Sequence, residues 1–391
     1  MRTILHISAD FPDAVAPSKT RAVETLISSV GEFRHVVYSL NRTSWRRDLA
    51  ALSFGQDRIA LSYGAPPYGI GLRYHLRPLV NAILADVRHR RIVPALIHAH
   101  KLTVEGLIAA DVAEALGCPF IASIWGDTDI KIFEAKRGLH GRYRDIGRRA
   151  ALLLPAAPWT ATYFRKALQL GGDRFEVLPV MTAADAVFPP MTVNAPRLVT
   201  VLALDAWHRK GLDTLARAVA ALALDIPAIT LDVYGRGSPK ALLDVTQMVQ
   251  KSGAADRVRL MGPVPHAGVQ ETINGYAAFV MPTRRETYGM VHVEALLAGV
   301  PILWSRDRGI DGLLDGLDVG YRCDPTSCKD VTEGLRRLVT EEHRLKSEIH
   351  RYQKEAAFDG LRRPAIAARY RSLLLRAMGR EDVQVSASAA G

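Results

Sequence analysis

The chain has 391 residues, 48% of them hydrophobic and 23% charged, with a formal net charge of +11 and a pI of about 9.7. This length predicts two domains of roughly 100–200 residues each, and the composition excludes disordered, collagen-like and coiled-coil classes. The three cysteines, an odd number, cannot form a disulfide framework and indicate a reducing compartment. The positive charge favours an anionic partner, which is nucleic acid, an anionic membrane surface or an anionic substrate.

Short apolar runs alternate with segments of helical periodicity through the first half of the chain. The predicted strands span residues 4–8, 35–39, 96–99, 120–124 and 151–155, and the predicted helices span 21–31, 74–90, 102–116 and 161–171. Such alternation is typical of parallel sheets built from βαβ units. His6 and Asp10 interrupt the first apolar run, which therefore does not resemble a signal peptide. No run reaches the roughly 18 apolar residues of a transmembrane helix, so we expect a cytoplasmic protein.

The periodicity stops between residues 185 and 198, where three prolines predict a linker. A second alternating series follows, with strands predicted at 198–204, 228–234, 258–261, 278–281 and 301–304 and helices at 211–222, 239–252, 269–276, 291–298 and 330–355. The two series predict two Rossmann-like α/β domains that face each other across a cleft. Parallel sheets bind ligands beyond the carboxyl ends of their strands, so we expect the chemistry in the loops there. The small, polar tail at 381–391 is predicted to be disordered.

The most informative stretch runs from Met281 to Ala295. A strand ends at Pro282, a short loop carries Glu286, and a helix begins near Gly289. The amides at a helix start are unpaired and can bind an anion such as a diphosphate. Glu294 lies two turns into that helix. Amides for phosphate together with carboxylates for sugar hydroxyls are what a nucleotide-sugar needs.

The pair Glu286-x7-Glu294 with Gly289 between, followed by residues 295–301, closely resembles family 4 glycosyltransferases of the GT-B fold. Three further segments resemble that family in the same order and spacing: Lys210-Gly211-Leu212, Tyr234-Gly235-Arg236-Gly237, and residues 258–264 with Gly262. The resemblance implies a retaining, nucleotide-sugar-dependent enzyme of the GT-B fold. Residues 1–190 would form the acceptor domain and 191–357 the donor domain, with a closing helix at about 358–380 packing back on the first.

The resemblance also implies roles for the matching positions. Glu286 would hold and polarise the donor hexose, and Glu294 would accept hydrogen bonds from the ribose. Lys210, together with Arg209, would offset the charge that develops on the leaving diphosphate. Donor-site positions also include the glycines at 235, 237 and 262, and the diphosphate would be cradled by the amides of Thr287, Tyr288, Gly289 and Met290. Enzymes of this family work without a metal, so no metal or other cofactor is expected.

The first half departs from the family pattern. Trp125 occupies the position of a family histidine, so Asp127 or His100 becomes the catalytic candidate on the acceptor side. Residues 11–20 replace the family's Gly-Gly loop, and Lys19 or Arg21 would have to supply a phosphate contact through a side chain. In the second half, residues 201–208 lack the family's arginine, and residues 180–185 replace the family's Asn-Gly-Val-Asp.

Three places in the sequence carry residues that could bind a metal. Asp127-Thr128-Asp129 has the spacing with which GT-A glycosyltransferases bind a divalent ion, but the two-domain layout with Glu286 and Glu294 points away from that class. Cys323 and Cys328 lack the second pair that would complete a zinc site. The remaining candidates are interpreted as structural rather than as ligands: His6, His98 and His140.

Over half of the excess charge lies in residues 1–100, which carry 13 Lys+Arg against 7 Asp+Glu. The basic clusters are Arg46-Arg47, residues 88–91, and Arg142, Arg144, Arg148 and Arg149. They either form solvated helix faces or dock on anionic lipid at the inner face of the membrane. Nucleic acid is excluded as a partner because no recognition motif appears.

These observations predict a glycosyltransferase that moves a sugar from a nucleotide diphosphate to a glycan or lipid-linked acceptor, as in cell-surface polysaccharide or glycolipid synthesis. A nucleotide-sugar epimerase of the same fold and a catalytically silent nucleotide-sugar-binding subunit stay open as alternatives. The nucleotide, the sugar, the acceptor and the oligomeric state are not predicted.

Overall fold

A computed structural model describes residues 1–43, 48–66, 69–193 and 195–379. The chain divides into two compact units. Unit 1 contains Met1–Ala156, Thr160–Met181 and the chain from Pro364 onwards, and unit 2 contains Ala157–Trp159 and Thr182–Arg363. The basic pair Arg46-Arg47 and the predicted tail at 381–391 lie outside the described residues.

Unit 1 is built on a seven-stranded sheet in the order β3-β4-β2-β1-β5-β6-β7. Its strands are β1 Thr3–Ser8, β2 Arg34–Thr43, β3 Ala50–Gly55, β4 Arg58–Gly64, β5 Pro94–Ala99, β6 Phe120–Ile124 and β7 Leu152–Pro155. All neighbours run parallel except β3 and β4, which pair antiparallel at one edge. Every residue of β1 and β6 is buried, as expected for strands covered on both faces.

The helices of unit 1 alternate with these strands or follow the last of them, and α13 is the last helix of the described chain. They are α1 Ala22–Ser28, α2 Leu72–His89, α3 Glu105–Leu116, α4 Gly126–Ala135, α5 His140–Arg149, α6 Pro158–Leu168 and α13 Arg363–Ala377. The apolar residues of α13, including Tyr370 and Leu374, are buried in one cluster with Ile4, Leu96 and Ile121 of the sheet. The last helix therefore completes the hydrophobic core of the first unit.

Unit 2 contains a six-stranded sheet in the order β10-β9-β8-β11-β12-β13, and all its neighbours are parallel. The strands are β8 Arg197–Val201, β9 Thr230–Tyr234, β10 Val258–Gly262, β11 Ala278–Val280, β12 Ile302–Ser305 and β13 Gly320–Cys323. The helices are α7 Leu212–Leu222, α8 Pro239–Lys251, α9 Val269–Asn274, α10 Met290–Leu297, α11 Cys328–Thr340 and α12 Glu342–Lys354. The prediction of two parallel-sheet α/β domains is confirmed.

Some elements differ from the predictions. The single helix expected at 330–355 is wrong, because the chain breaks at Glu341 into α11 and α12. Strands β3, β4 and β13 and helices α4 and α5 were not predicted; β3 is almost wholly exposed. Within the described part of the chain, no helix is both long and apolar enough to span a membrane.

Candidate functional site

Two neighbouring strands of unit 2 end at the same edge of the sheet and place Lys210 beside Glu286. Strand β8 leads through Lys210 into α7, and β11 leads through Glu286 into α10. Because β8 and β11 pair in parallel, their following loops emerge side by side. The Lys210 ammonium donates a hydrogen bond to Glu286 Oε2, and both side chains are largely shielded from solvent. The structure thus brings together these two predicted residues as an ion pair.

The same two loops touch through their backbones. The amide of Arg284 donates to Arg209 O at 2.9 Å, and Thr283 Oγ1 donates to the same carbonyl at 3.2 Å. Gly211 has φ of +74°, and a Cβ there would lie 1.9 Å from Pro282 O. Glycine is therefore required for the two loops to approach this closely.

Arg284, which the sequence did not single out, fastens the second loop to α7. Its guanidinium donates to Asp213 Oδ1 at 2.6 Å and Oδ2 at 2.8 Å, and also to Thr214 Oγ1 at 2.7 Å. Burial would raise the pKa of Asp213, but the hydrogen bond and charge of Arg284 lower it below its ordinary value. A bidentate arginine–carboxylate pair is geometrically rigid, so the loop that carries Glu286 is held in place.

Helix α10 begins directly after this loop, with Gly289 as its N-cap at φ +78°. Glycine has no side chain to cap the first amides, and a Cβ here would lie 2.7 Å from His292 Nδ1 and 3.3 Å from Glu286 Cγ. Of the four amides expected to bind a diphosphate, that of Thr287 donates to Glu286 Oε1 at 3.1 Å. The helix start, with its partial positive charge, therefore lies beside the Lys210–Glu286 pair.

His292 is a neighbour of this pair that sequence reasoning missed. Its ring is buried and lies edge-on to Phe279, with ring centroids 5.2 Å apart. Burial lowers the pKa of His292 to about 4; the charge of Glu286 opposes the shift and that of Lys210 adds to it. The imidazole is consequently neutral at pH 7. Its position three residues after Gly289 was the available signal, because residues three apart share a helix face.

Glu294 lies on the second turn of α10 and is only 2% exposed. Its Oε1 has no hydrogen-bond partner within the described residues. Burial raises the pKa of Glu294, and the charge of His266 and the backbone of Ala184 and Ala183 oppose the shift. A buried carboxylate oxygen without a partner is costly, and such an atom is suited to accept a ligand hydroxyl.

The glycines that follow β9 and the glycine that ends β10 have different surroundings. A Cβ at Gly235 would lie 1.7 Å from Leu202 O, and one at Gly237 would lie 2.6 Å from Leu204 Cβ. Both glycines therefore permit close packing against the loop after β8. Gly262 has φ of +78° and no atom within 4 Å of a Cβ, while its carbonyl accepts a hydrogen bond from the Gly235 amide at 2.9 Å. Arg209 contributes its carbonyl to the loop contact and exposes its side chain.

On unit 1, Asp127 and His100 lie at the carboxyl ends of two adjacent strands. His100 follows β5 and donates its amide to Ile7 O at 3.0 Å. Asp127 lies in the first turn of α4, just after β6. Asp129, its partner in the alternative metal motif, is fully buried. Asp129 accepts hydrogen bonds from Thr103 and from the Trp125 amide, using both carboxylate oxygens. This is the geometry of a structural carboxylate.

The loop that replaces the family's Gly-Gly turn is organised around Asp13. Lys19 Nζ donates to Asp13 Oδ2 at 2.9 Å, Ser39 Oγ at 3.0 Å and Leu40 O at 3.1 Å. These three bonds use all three ammonium hydrogens, so Lys19 has none left for a phosphate. Arg21 pairs with Glu24, and its side chain is 80% exposed.

The two parallel-sheet units define the GT-B fold. Residues 195–341 match the family model described as "Glycosyl transferases group 1". The match contains β8 to α11 and with them Lys210, Glu286 and Glu294.

Known proteins similar to this chain include the putative teichuronic acid biosynthesis glycosyltransferase TuaC of Bacillus subtilis, 23% identical over 279 residues, which are 68% of this chain and 67% of TuaC. The phosphatidylinositol N-acetylglucosaminyltransferase gpi3 subunit of Schizosaccharomyces pombe is 24% identical over 182 residues, which are 46% of this chain and 39% of that protein. The N-acetyl-alpha-D-glucosaminyl L-malate synthase of Bacillus anthracis is 24% identical over 168 residues, 42% of each chain. The chain therefore spans less than half the length of the last two relatives.

Solved structures show the same fold. Sucrose-phosphate synthase from Thermosynechococcus elongatus superposes with a TM-score of 0.74 at 18% identity, covering 97% of this chain and 100% of that one. Anabaena HepE in complex with UDP superposes with a TM-score of 0.69 at 14% identity, covering 96% and 100%.

Proposed function

We propose that the protein is a retaining glycosyltransferase of family 4 that transfers a hexose from a nucleotide diphosphate sugar to a hydroxyl of a glycan or lipid-linked acceptor. The observation that carries the proposal is the Lys210–Glu286 pair beside the start of α10. Buried Glu294 lies on the same helix. Cation, helix amides and two carboxylates on adjoining elements match the three parts of a nucleotide-sugar: diphosphate, hexose and ribose.

The largest electrostatic stabilisation in the reaction is needed at the leaving diphosphate. As the bond between the anomeric carbon and the diphosphate oxygen breaks, the electron pair stays on that oxygen and its negative charge grows. Lys210 and the amides at the start of α10 stabilise this charge in a partly dry site. The acceptor oxygen bonds to the same face of the anomeric carbon, and the acceptor proton passes to the diphosphate. The bonds and protons of this reaction balance without a metal or another cofactor.

Glu286 and Glu294 bind the two sugars. A bound diphosphate competes for Lys210, which releases Glu286 to accept hydrogen bonds from the hexose. Glu294 offers its unpartnered Oε1 to a ribose hydroxyl, and this bond would satisfy a buried acceptor. Gly262, where a side chain would meet no atom within 4 Å, leaves room for a base.

UDP is the nucleotide that we propose. Anabaena HepE was solved with UDP and with UDP-glucose, and the pneumococcal transferase GtfA was solved with UDP and GlcNAc. The test is a binding panel of UDP-, GDP-, ADP- and dTDP-sugars, followed by product analysis with and without acceptors. An epimerase would interconvert the donor without an acceptor, and a silent subunit would bind the donor without turnover on any acceptor.

We also propose that the enzyme meets its acceptor at an anionic membrane surface. Two arginines of the expected clusters are paired with carboxylates: Arg90 with Asp57 and Asp86, and Arg142 with Asp111 and Asp145.

Helix α2 provides a different surface, which we name the α2 face. It consists of Ile70 and Tyr74, which are 65% and 79% exposed, with the exposed arginines Arg73, Arg77 and Arg88. Among the described residues none of these arginines has an ion pair, and the α2 carboxylate of Asp86 is paired with Arg90. Apolar and aromatic side chains flanked by free cations suit the surface of an anionic bilayer.

A further inference from the structure

Four histidines of unit 1 lie next to one another on and beside one face of its sheet. His6 of β1 and His98 of β5 are register partners on adjacent parallel strands. His35 lies on β2 and His100 directly follows β5. His6, His98 and His100 are at most 1% exposed. Neighbouring imidazoles without solvent must satisfy one another or the surrounding protein, so their hydrogen bonds fix their protonation.

Three of the rings form a chain that starts at a backbone carbonyl. His35 Nε2 lies 3.0 Å from Val30 O, His35 Nδ1 lies 2.9 Å from His6 Nε2, and His6 Nδ1 lies 3.1 Å from His100 Nε2. A carbonyl oxygen only accepts hydrogen bonds, so His35 Nε2 carries a proton. In a neutral ring His35 Nδ1 then accepts from His6 Nε2–H, and His6 Nδ1 accepts from His100 Nε2–H. The last ring is left with an unprotonated Nδ1.

The surroundings keep these rings neutral. Burial lowers the pKa of His6, and the charges of His35 and His98 lower it further. Burial likewise lowers the pKa of His100, helped by His98, His6, Lys101 and His35. Burial also lowers the pKa of His35, although the hydrogen bond to the Val30 carbonyl and the charge of Glu32 oppose this shift.

A metal would use the same lone pairs, because ring nitrogens of His6, His98 and His100 lie within 4.8 Å of one another. The hydrogen bonds argue against it. His98 Nδ1 lies 2.8 Å from the Tyr370 hydroxyl and His98 Nε2 lies 2.9 Å from Ser123 Oγ. His6 Nδ1 and His100 Nε2 already bond to each other. Among the ring nitrogens of these three histidines, His100 Nδ1 alone has no hydrogen-bond partner within the described residues. One free ligand atom does not make a metal site.

We propose that His35 and His6 are positioning residues that fix His100 as its Nε2–H tautomer, so that His100 Nδ1 remains a hydrogen-bond acceptor at the carboxyl end of β5. This inference rests on the proposed function: at that end of the unit 1 sheet, the partner for such an atom is the hydroxyl of the sugar acceptor. The hydroxyl donates its hydrogen to Nδ1 and is thereby oriented. The opposite tautomer would present an N–H and repel the hydroxyl hydrogen.

The test combines tautomer detection with kinetics on the full-length protein. Long-range ¹H–¹⁵N correlation of ¹⁵N-histidine-labelled enzyme reports which ring nitrogen carries hydrogen. In the wild type we expect neutral Nε2–H tautomers for His6, His35 and His100 at pH 7. His35→Gln keeps an amide that donates to Val30 O and a carbonyl that accepts from His6, so it should preserve the pattern. His35→Leu removes both groups and should let His100 populate its Nδ1–H tautomer.

The kinetic consequence is quantitative. In His35→Leu the kcat of sugar transfer should fall in proportion to the measured Nδ1–H fraction of His100. The donor KM should stay unchanged, and His35→Gln should restore kcat. Three results would overturn the proposal. The first is an Nδ1–H or charged His100 in the wild type, and the second is a shift of the His6 and His100 nitrogen resonances on addition of Zn²⁺. The third is an unchanged kcat in His35→Leu although its His100 populates both tautomers. If the wild type transfers sugar to no acceptor, the proposed function fails while the nitrogen spectra still decide whether the chain fixes the tautomer.

Discussion

The ammonium of Lys210 is held by the carboxylate of Glu286, 76 positions later in the chain. The pair forms because β8 and β11 are parallel neighbours whose following loops share one edge of the sheet. In the absence of an anion each charge neutralises the other. We propose that a bound diphosphate replaces Glu286 as the partner of Lys210 and thereby frees Glu286.

We predict that Lys210→Met lowers kcat about 10²–10³-fold, the usual cost of removing one preorganised electrostatic contact to the developing charge. Glu286→Gln should also lower kcat, because it changes the group proposed to bind the donor hexose. Steady-state transfer assays with saturating donor measure this effect. Lys240→Met is the matched control, because Lys240 is 82% exposed and pairs with Asp244 on the surface of α8. Equal activities of Lys210→Met and the control would show that Lys210 does not act on the leaving group.

Glu294→Ala is expected to weaken UDP binding by roughly 10- to 150-fold, corresponding to the loss of about 1.5–3 kcal/mol for a hydrogen bond to a charged group. Isothermal titration calorimetry with UDP measures this change. The same titration with 2′,3′-dideoxy-UDP supplies the control, because it lacks the ribose hydroxyls. A variant that discriminates between the two ligands as strongly as the wild type would contradict the assignment of Glu294 to the ribose.

Gly211→Ala should destabilise unit 2 and weaken donor binding together. The added Cβ would lie 1.9 Å from Pro282 O, so the loop that carries Glu286 must move. Gly253→Ala is a close control: its φ of +76° carries the same left-handed penalty, about 1 kcal/mol, but its nearest atom would be 3.8 Å away. Urea denaturation and UDP titration of both variants separate conformational strain from loop displacement. Matching losses in both variants would mean that the close approach to Pro282 is unimportant.

Glu105 gives the fold a predictable dependence on pH. Burial raises its pKa to about 7 from an ordinary 4.5; Lys101 and the Ala9 amide oppose the shift, and Asp10 and Asp129 add to it. Because the folded state holds this proton more tightly than the unfolded state, its contribution to stability falls as pH rises from about 4.5 to about 7.

Glu105→Gln keeps an oxygen for the Ala9 amide and removes the ionisation. Its melting temperature relative to the wild type should therefore be higher at pH 8 than at pH 5, as measured by calorimetry. Glu114→Gln, at a side chain that is 67% exposed, should show no such pH dependence. A constant difference for Glu105→Gln across this range would mean that Glu105 does not titrate in the window.

Docking through the α2 face predicts sedimentation with vesicles that contain anionic lipid and not with neutral ones. Each arginine near the surface contributes about 1 kcal/mol, so Arg73→Glu and Arg77→Glu should each lower binding by at least fivefold, and salt should weaken it further. Arg257→Glu in unit 2 is the control. Vesicle binding that survives both α2 substitutions would place the contact elsewhere.

Sequence reasoning predicted both parallel sheets and most of their elements, because buried parallel strands are short apolar runs and the helices between them have a clear period. It also selected Lys210 and Glu286, whose contact depends on which strands are neighbours. It missed the exposed edge strand β3 and its neighbour β4. It also missed the break at Glu341, where helical periodicity continues across two helices. His6 and His98 were interpreted as structural one at a time. Their alignment depends on the register of β1 against β5, which no local pattern reveals.

The Asp13 network described above has a consequence for the timescale of motion. The amides of Val15 and Ala16 donate to Asp13 Oδ1 at 2.8 Å each, and hydrogen bonds from Ser39, Asn41 and Lys19 hold the pKa of Asp13 below its usual range despite its burial. A loop anchored in this way has little conformational freedom to lose when a ligand arrives. The two amides should exchange with solvent deuterium slowly, and at similar rates with and without donor.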